Sequence, residues 1–425
     1  MIFCVMGSGP WSRRFWASMA LSCCAVTGFA FPEIAHSVES ATGHVVVLPE
    51  FERQNYNPAV LHLRFTQSRD EGSREGADAF LDLTLIPSSG VVEGLRVELS
   101  TKLFRENLRD LYVKLSRLED LNVEDPSSAS RQLYALLFGE LQPLLEKEKV
   151  STLLIAADRG LQAIPFAALH SGSQYFGDQY AFAITPSLAL TEFEVKGDPD
   201  DRMLALGASE FKGLSALPLV PQELEQIGDE ERKDKFLNQE FTPETFLDKA
   251  GINEYGTLHV ATHAEFKPGG PSQSKLHSGA GPLSMKELSK LREKRQGVPL
   301  DLVVFSACRT ALGDADAELG FSGLALQAGA RSAVGTLWYV DDVVTSAYFV
   351  QMHRFLEQGI PKAEAMQMTR QAFIRGLIRL SDDAVLGVDG SPLISELTPS
   401  QQRRVSNGVE NPFFWGGIEL MGSPW

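Results

Sequence analysis

Between residues 40 and 100 the chain alternates short apolar runs with turn-forming residues. "HVVVLPEF", "AVLHLRFTQ", "AFLDLTLIP" and "VVEGLRVELS" predict strands, so this stretch reads as a small β-rich region. The period then changes. In "LFRENLRDLYVKLSRLEDL", Leu108, Leu111, Leu115 and Leu118 recur three or four residues apart and predict a helix with one apolar face. "EDPSSASR" interrupts it, with Ser127 or Ser128 placed to cap a second helix, "ASRQLYALLFGELQPLLEKEK". No repeat of about 34 residues or similar period is present.

From about residue 150 near-continuous apolar runs of strand length alternate with helical segments. "STLLIAA", "RMLALGA", "GTLHVATH", "LDLVVFSAC" and "SAVGTLW" are the strands. "PQELEQIGDEERKDKF", "TPETFLDKAG", "SMKELSKLREK" and "GFSGLALQAG" are the helices, with "GDEERKDK" a solvated helix face or linker. Strands without polar alternation suit a sheet covered on both faces, and the β-α alternation predicts right-handed crossovers. The fold class expected is α/β: a mostly parallel sheet flanked by helices on both faces, behind the β-rich region. Ligand and catalytic groups in such sheets gather beyond the carboxyl ends of the strands.

Composition narrows the function. The 425 residues are 44% hydrophobic and 22% charged, which argues against a disordered chain. A formal net charge of -16 argues against general affinity for nucleic acid, because phosphate binding needs concentrated Lys and Arg. No H-E-x-x-H, paired C-x-x-C or phosphate-loop pattern occurs, and no metal or organic cofactor is expected. At the N-terminus, Arg13 and Arg14 precede an apolar run from Phe15 to about Ala30, ending Gly28-Phe29-Ala30. The run is short for a membrane span of about 20 residues. Residues 1–30 therefore read as a signal peptide, and the protein as exported, periplasmic or extracellular. A signal-anchored form, or a lipid anchor on Cys23 or Cys24, is the alternative, with no further membrane span.

Export changes the meaning of the cysteines. The four are Cys4, Cys23, Cys24 and Cys308, so loss of the signal leaves Cys308 alone. A lone thiol in an oxidising compartment needs deep burial or a chemical role. Two strands end in reactive groups: "GTLHVATH" in His263 and "DLVVFSAC" in Cys308. If the strands are neighbours, both groups reach one rim, and thiol plus imidazole suffice for nucleophilic catalysis. His259 shares the strand face with His263 but lies inside the strand, and reads as a packed core histidine.

These residues sit in longer segments that resemble the CHAT domain family, caspase- and separase-like cysteine peptidases. The resemblance is carried by "HVATHAEF", "VVFSACRTALGD" and "GFSGLALQAGARSAVGTLWYVDD". It extends to "LLIAADRGLQAIPFAALHSG", "ITPSL" and "NPFFWGGIELMG", spanning roughly residues 101 to 425 in the family's order. It implies a caspase-like domain over 101–425, after a β-rich region at 31–100. It also implies His263 as general acid/base, Cys308 as nucleophile, and backbone N–H groups of Cys308 and Ala264 as the oxyanion hole. Two departures stand out: the position after the histidine, usually Gly in the family, is Ala264, and the acid often following the cysteine is Arg309. The family's usual tetratricopeptide repeats are absent.

The expected function is a cysteine-type endopeptidase acting on a protein or peptide substrate through a thioester. The alternatives are a catalytically silent CHAT-like binding or signalling module, and an acyl transferase on the same dyad. Asp341 and Asp342 precede a predicted helix and read first as its cap; an acidic pocket for a basic substrate side chain is the second reading. Asp301, Asp314 and Asp316 are rivals for that pocket. His170 reads as structural and "PFFWGG" as a packed closing strand.

Overall fold

The computed structural model describes residues 37–39, 45–48, 51–67, 77–158, 160–188, 191, 202–265, 274–307, 320–338 and 341–425. The expected signal peptide, Cys308, Arg309, Asp314 and Asp316 lie outside the described residues. At the centre is an eleven-stranded sheet. In chain order its strands are β1 Pro58–Gln67, β2 Ala79–Pro87, β3 Glu93–Leu99, β4 Thr152–Ala157, β5 Ala181–Thr185, β6 Arg202–Gly207, β7 Lys233–Leu237, β8 Tyr255–Ala261, β9 Leu302–Ser306, β10 Ser332–Thr336 and β11 Ile418–Gly422. The spatial order is β3-β2-β1-β4-β5-β11-β10-β9-β8-β6-β7.

Seven neighbouring pairs are parallel and three antiparallel, so the sheet is mostly parallel, as its unbroken apolar strands predicted. Every residue of β4, β5, β9 and β10 is buried. One antiparallel pair, β10 with β11, divides the sheet into two blocks that run in opposite directions. The strands expected between residues 40 and 100 are present, and β1 to β3 extend this same sheet, β1 pairing in parallel with β4. β2 alternates buried and half-buried residues, since only one of its faces is covered.

The helices used below are α1 Thr101–Ser116, α2 Ala129–Phe138, α3 Val220–Gln226, α4 Pro243–Ala250, α5 Gly320–Gln327, α6 Asp342–Glu357 and α7 Lys362–Ile374. Leu111 and Leu115 of α1 are buried, but the helix ends before Leu118, which has φ 58° and is exposed. Ser128 occupies the N-cap position of α2 without a side-chain capping bond. "GDEERKDK" differs from expectation, for its end forms the edge strand β7, paired with β6. The buried Lys233 ammonium there donates to the carbonyls of Glu225 and Ile227, at 3.0 and 2.7 Å, so a charged residue occupies an inward position.

Right-handed crossovers fix which face each helix covers. β6 to β7 moves outward along the sheet, whereas β7 to β8 and β8 to β9 move back inward. α3 and α4 therefore cover opposite faces, and the chain leaves β6 and β8 on opposite sides of the sheet. A crevice opens at such a divergence, between the loops that follow β6 and β8. Among the described residues no helix is long and apolar enough to cross a membrane.

Candidate active site

β8 and β9 are adjacent and parallel, with Ala261 opposite Ser306. The ladder continues one step beyond them, where the Thr262 N–H donates to the Ser306 carbonyl at 3.2 Å. Thr336 Oγ1, at the end of β10, donates to the Ala307 carbonyl at 2.9 Å. The main chain leading into Cys308 is thus fixed from both neighbouring strands. His263 lies two residues past Ala261, and Cys308 is two residues past Ser306 in the sequence.

The His263 ring is held from the other side of the crevice. Its Nε2 donates to the Ser215 carbonyl at 2.8 Å, and the Phe211 ring lies 4.7 Å away, tilted by 54°. Both partners belong to the loop after β6, which is anchored by the Leu217 N–H to Ser209 carbonyl bond and by Asn238 Oδ1 accepting from the Ser209 N–H. With the proton on Nε2, Nδ1 is the nitrogen with a free lone pair.

Ala264 opens a short strand, Ala264–Glu265, at the edge of a three-stranded sheet completed by Lys275–Ser278 and Gly281–Ser284. Ala264 faces Leu276, and the His277 N–H donates to the His263 carbonyl at 2.9 Å. That bond makes Ala264–Leu276 a non-hydrogen-bonded pair, which turns the Ala264 N–H away from its neighbour and toward the open edge. The extended backbone tolerates a Cβ, so alanine in place of glycine imposes no strain here.

His263, Thr262, Ser306, Ala307, Val220 and Asp342 border a recess with about 40 Å³ of free space. That volume suits a few water molecules. Glu223 forms part of its wall but is only 1% exposed.

The weaker candidates separate. Asp341 is the N-cap of α6, its Oδ1 accepting from the Val343 N–H at 2.9 Å, and Oδ2 meets Arg404 Nε at 2.6 Å. Burial pushes its carboxyl above the usual range, opposed by Arg404. Asp342 reaches the recess and also pairs with Arg404. Asp301 precedes β9, at the end of the strand remote from His263. It binds Lys362 Nζ at 2.9 Å and Arg331 at 3.6 Å, so it is corrected from a substrate-binding candidate to a structural ion pair. His170 is buried, accepts from the Gly172 N–H at 3.0 Å, and sits edge-on to Tyr175. "PFFWGG" is packed but forms a turn before β11 and not the expected strand; its Trp415 is fully buried and donates to the Glu410 carbonyl at 2.9 Å.

His259 is a core residue, as its position in the strand implied. Its Nε2 lies 2.9 Å from Glu223 Oε1, and its Nδ1 3.1 Å from His353 Nε2. Sequence reasoning missed Glu223, His353 and Ser215, because nothing local in "PQELEQI", "QMHRF" or "GLSAL" marks a residue that meets its partner only through the tertiary fold. Among the described residues no group of three or more His, Cys, Asp or Glu is placed to hold a metal ion.

No curated protein matches the chain. Among solved structures it is similar to the separase of the Saccharomyces cerevisiae separase–securin complex, with 11% identity and a TM-score of 0.49 over 88% of this chain and 30% of that one. It thus spans less than a third of that chain's length. The Arg-specific cysteine proteinase gingipain R is similar at 10% identity and a TM-score of 0.42, over 76% of this chain and 75% of that one. The family model described as the CHAT domain matches residues 127–423, most of the chain: this protein belongs to the CHAT domain family.

Proposed function

We propose that the protein is a caspase-like cysteine endopeptidase with Cys308 as nucleophile and His263 as general acid and base. The observation that carries this reading is the register of two adjacent parallel strands, Ala261 against Ser306, with histidine and cysteine each two residues further along. The Ser215 carbonyl supports it by fixing the imidazole so that Nδ1 is the working nitrogen.

In the proposed reaction the Cys308 thiolate attacks the scissile carbonyl carbon, and the π-electron pair moves onto oxygen. The N–H groups of Ala264 and Cys308 receive that oxyanion. Collapse of the tetrahedral intermediate breaks the C–N bond, and the His263 imidazolium gives its Nδ1 proton to the leaving amine. Water, deprotonated by His263, then attacks the thioester and releases the acid and the thiol. An N-terminal export signal at residues 1–30 remains part of the proposal.

Labelling with a peptide acyloxymethyl ketone tests it. Cys308 should be modified far faster than a model thiol, and His263→Ala should remove that advantage. Reaction at model-thiol rate, unchanged by His263→Ala, would overturn the peptidase reading in favour of a silent binding module. Acyl transfer without cleavage across a peptide library would reassign the dyad to an acyl transferase.

A further inference from the structure

Behind the recess runs a line of buried polar groups that the proposed reaction does not itself consume. Glu223 projects from α3, with Oε1 at 2.9 Å from His259 Nε2 and Oε2 accepting from Ser346 Oγ of α6 at 2.6 Å. His259 Nδ1 continues to His353 Nε2 at 3.1 Å. All four side chains are at most 3% exposed.

The protons can be followed along this line. Burial, then the neighbouring His259 and Lys233, holds His353 well below the ordinary imidazole range, so it is neutral. A neutral His353 that donates Nε2–H to His259 Nδ1 leaves the His259 proton on Nε2, which donates to Glu223. Every donor then points at Glu223, and the acceptor-only, ionised carboxylate is the form that satisfies them. Both oxygens are occupied, so Glu223 is no receptor for a substrate side chain.

We propose that Glu223 is a positioning residue for the dyad: its buried charge, fixed by His259 and Ser346, stabilises the protonated form of His263 across the recess they share. This rests on the dyad reading and deepens it, since protonated His263 is the form that donates to the leaving amine. Among the described residues, the other charged groups around His263 are more exposed or otherwise engaged. Asp342 pairs with Arg404, and Glu225 with Lys235. On the adjoining hairpin, Glu265 lies 3.5 Å from Lys275 and 3.3 Å from His277. Glu210 and Lys212 are exposed on the loop after β6. Glu223 is the carboxylate in this set most fully removed from water, so its field is the least screened.

The test follows the His263 ring by NMR in full-length protein carrying Cys308→Ser, which needs no turnover. Glu223→Gln keeps the shape and removes the charge, and should lower the His263 titration midpoint by about one pH unit. Glu223→Asp keeps the charge and should leave the midpoint within about 0.3 unit. A packing role alone would make both variants behave alike, and that result overturns the proposal. Should Glu223→Gln not fold, Glu223→Met removes the charge at similar volume and should likewise lower the midpoint; no shift there counts equally against it. In the cysteine-containing chain, the alkaline limb of kcat/KM should move down with Glu223→Gln. Failure of the dyad reads out separately, as peptide cleavage that survives His263→Ala while the NMR shift persists.

Discussion

The two blocks of the sheet are built from similar apolar strands and finish them differently. In the first block, β1 to β5 with β11, the polar groups at the carboxyl ends satisfy one another. Asp158 accepts from the Phe65 N–H at 3.1 Å, Gln162 donates to the Ala157 carbonyl at 2.9 Å, and Thr185 donates to the Ser187 carbonyl at 2.9 Å. In the second block, β6 to β10, the chain leaves β6 and β8 on opposite faces, and an imidazole stands in the gap with only one of its nitrogens hydrogen-bonded among the described residues. The buried acids differ in the same way. Glu364 and Glu419, packed against the first block, are pushed up by burial, Glu364 to about 7 and Glu419 well above the usual range. Glu223, in the second, meets two donors. The proposed site thus lies at a divergence of loops, and shared strand composition does not distinguish the two blocks.

If the first block is scaffold, damage there should cost stability while the dyad keeps its intrinsic reactivity. Phe138, Phe166, Phe176 and Phe182 form its aromatic centre, with Phe138 and Phe176 stacked at 4.3 Å. Phe176→Ala should lower unfolding free energy by about 3–5 kcal/mol, read from urea denaturation. The rate of Cys308 labelling in the folded fraction should not change. A loss of labelling without loss of stability would erase the distinction between the blocks.

The converse change belongs at Ala264. Its N–H points to the open edge of its sheet, so proline there removes no ladder bond. Ala264→Pro should cut turnover by about 10²–10³-fold, the usual cost of one oxyanion donor, with the melting temperature little changed. Ala264→Gly should keep turnover, since the N–H is retained. Equal activity in both variants would remove Ala264 from the oxyanion hole.

The buried acids offer a comparison in pH. Glu364 is pushed from its ordinary 4.5 to about 7, by burial first, against the stabilising Thr152 hydrogen bond. The folded chain keeps this proton where the unfolded chain has lost it. Its contribution to stability is fully present below about 4.5 and is lost as pH rises to about 7, roughly 3 kcal/mol in all. Glu364→Gln has no proton to lose, so the difference in unfolding free energy between wild type and variant should shrink or reverse across that window. A constant difference from pH 4.5 to 7.5 would show that Glu364 ionises freely.

Much of this arrangement was legible in the sequence. Unbroken apolar runs marked β4, β6, β8, β9 and β10, because strands buried on both faces leave no room for alternation. The strand-end position marked His263, and the interior position marked His259 as core. Three features were hidden. β7 was masked by the charges of "ERKDK", because pairing to β6 and carbonyl acceptors for Lys233 override what the composition favours. The reversal at β11 depends on which strand the chain returns to, and no local pattern encodes that. Glu223 looks like any helix-surface glutamate until α6 and β8 close over it.

Asp341 gives the smallest effect and the finest test of where the site ends. Sequence left it between a helix cap and a wall of an acidic specificity pocket. The geometry supports the first reading: Oδ1 caps the Val343 N–H, Oδ2 is held by Arg404, and the side chain is 14% exposed. Asp341→Ala should therefore cost about 1 kcal/mol, the usual penalty for losing an N-cap, through fraying of the first turn of α6. That turn carries Asp342, Thr345 and Ser346 along the recess, so a modest fall in kcat accompanies it while the preferred residue before the scissile bond stays the same. A profiled peptide library decides between the readings. If the preference shifts away from Lys and Arg in Asp341→Ala at unchanged stability, the carboxylate faces substrate and not its own helix.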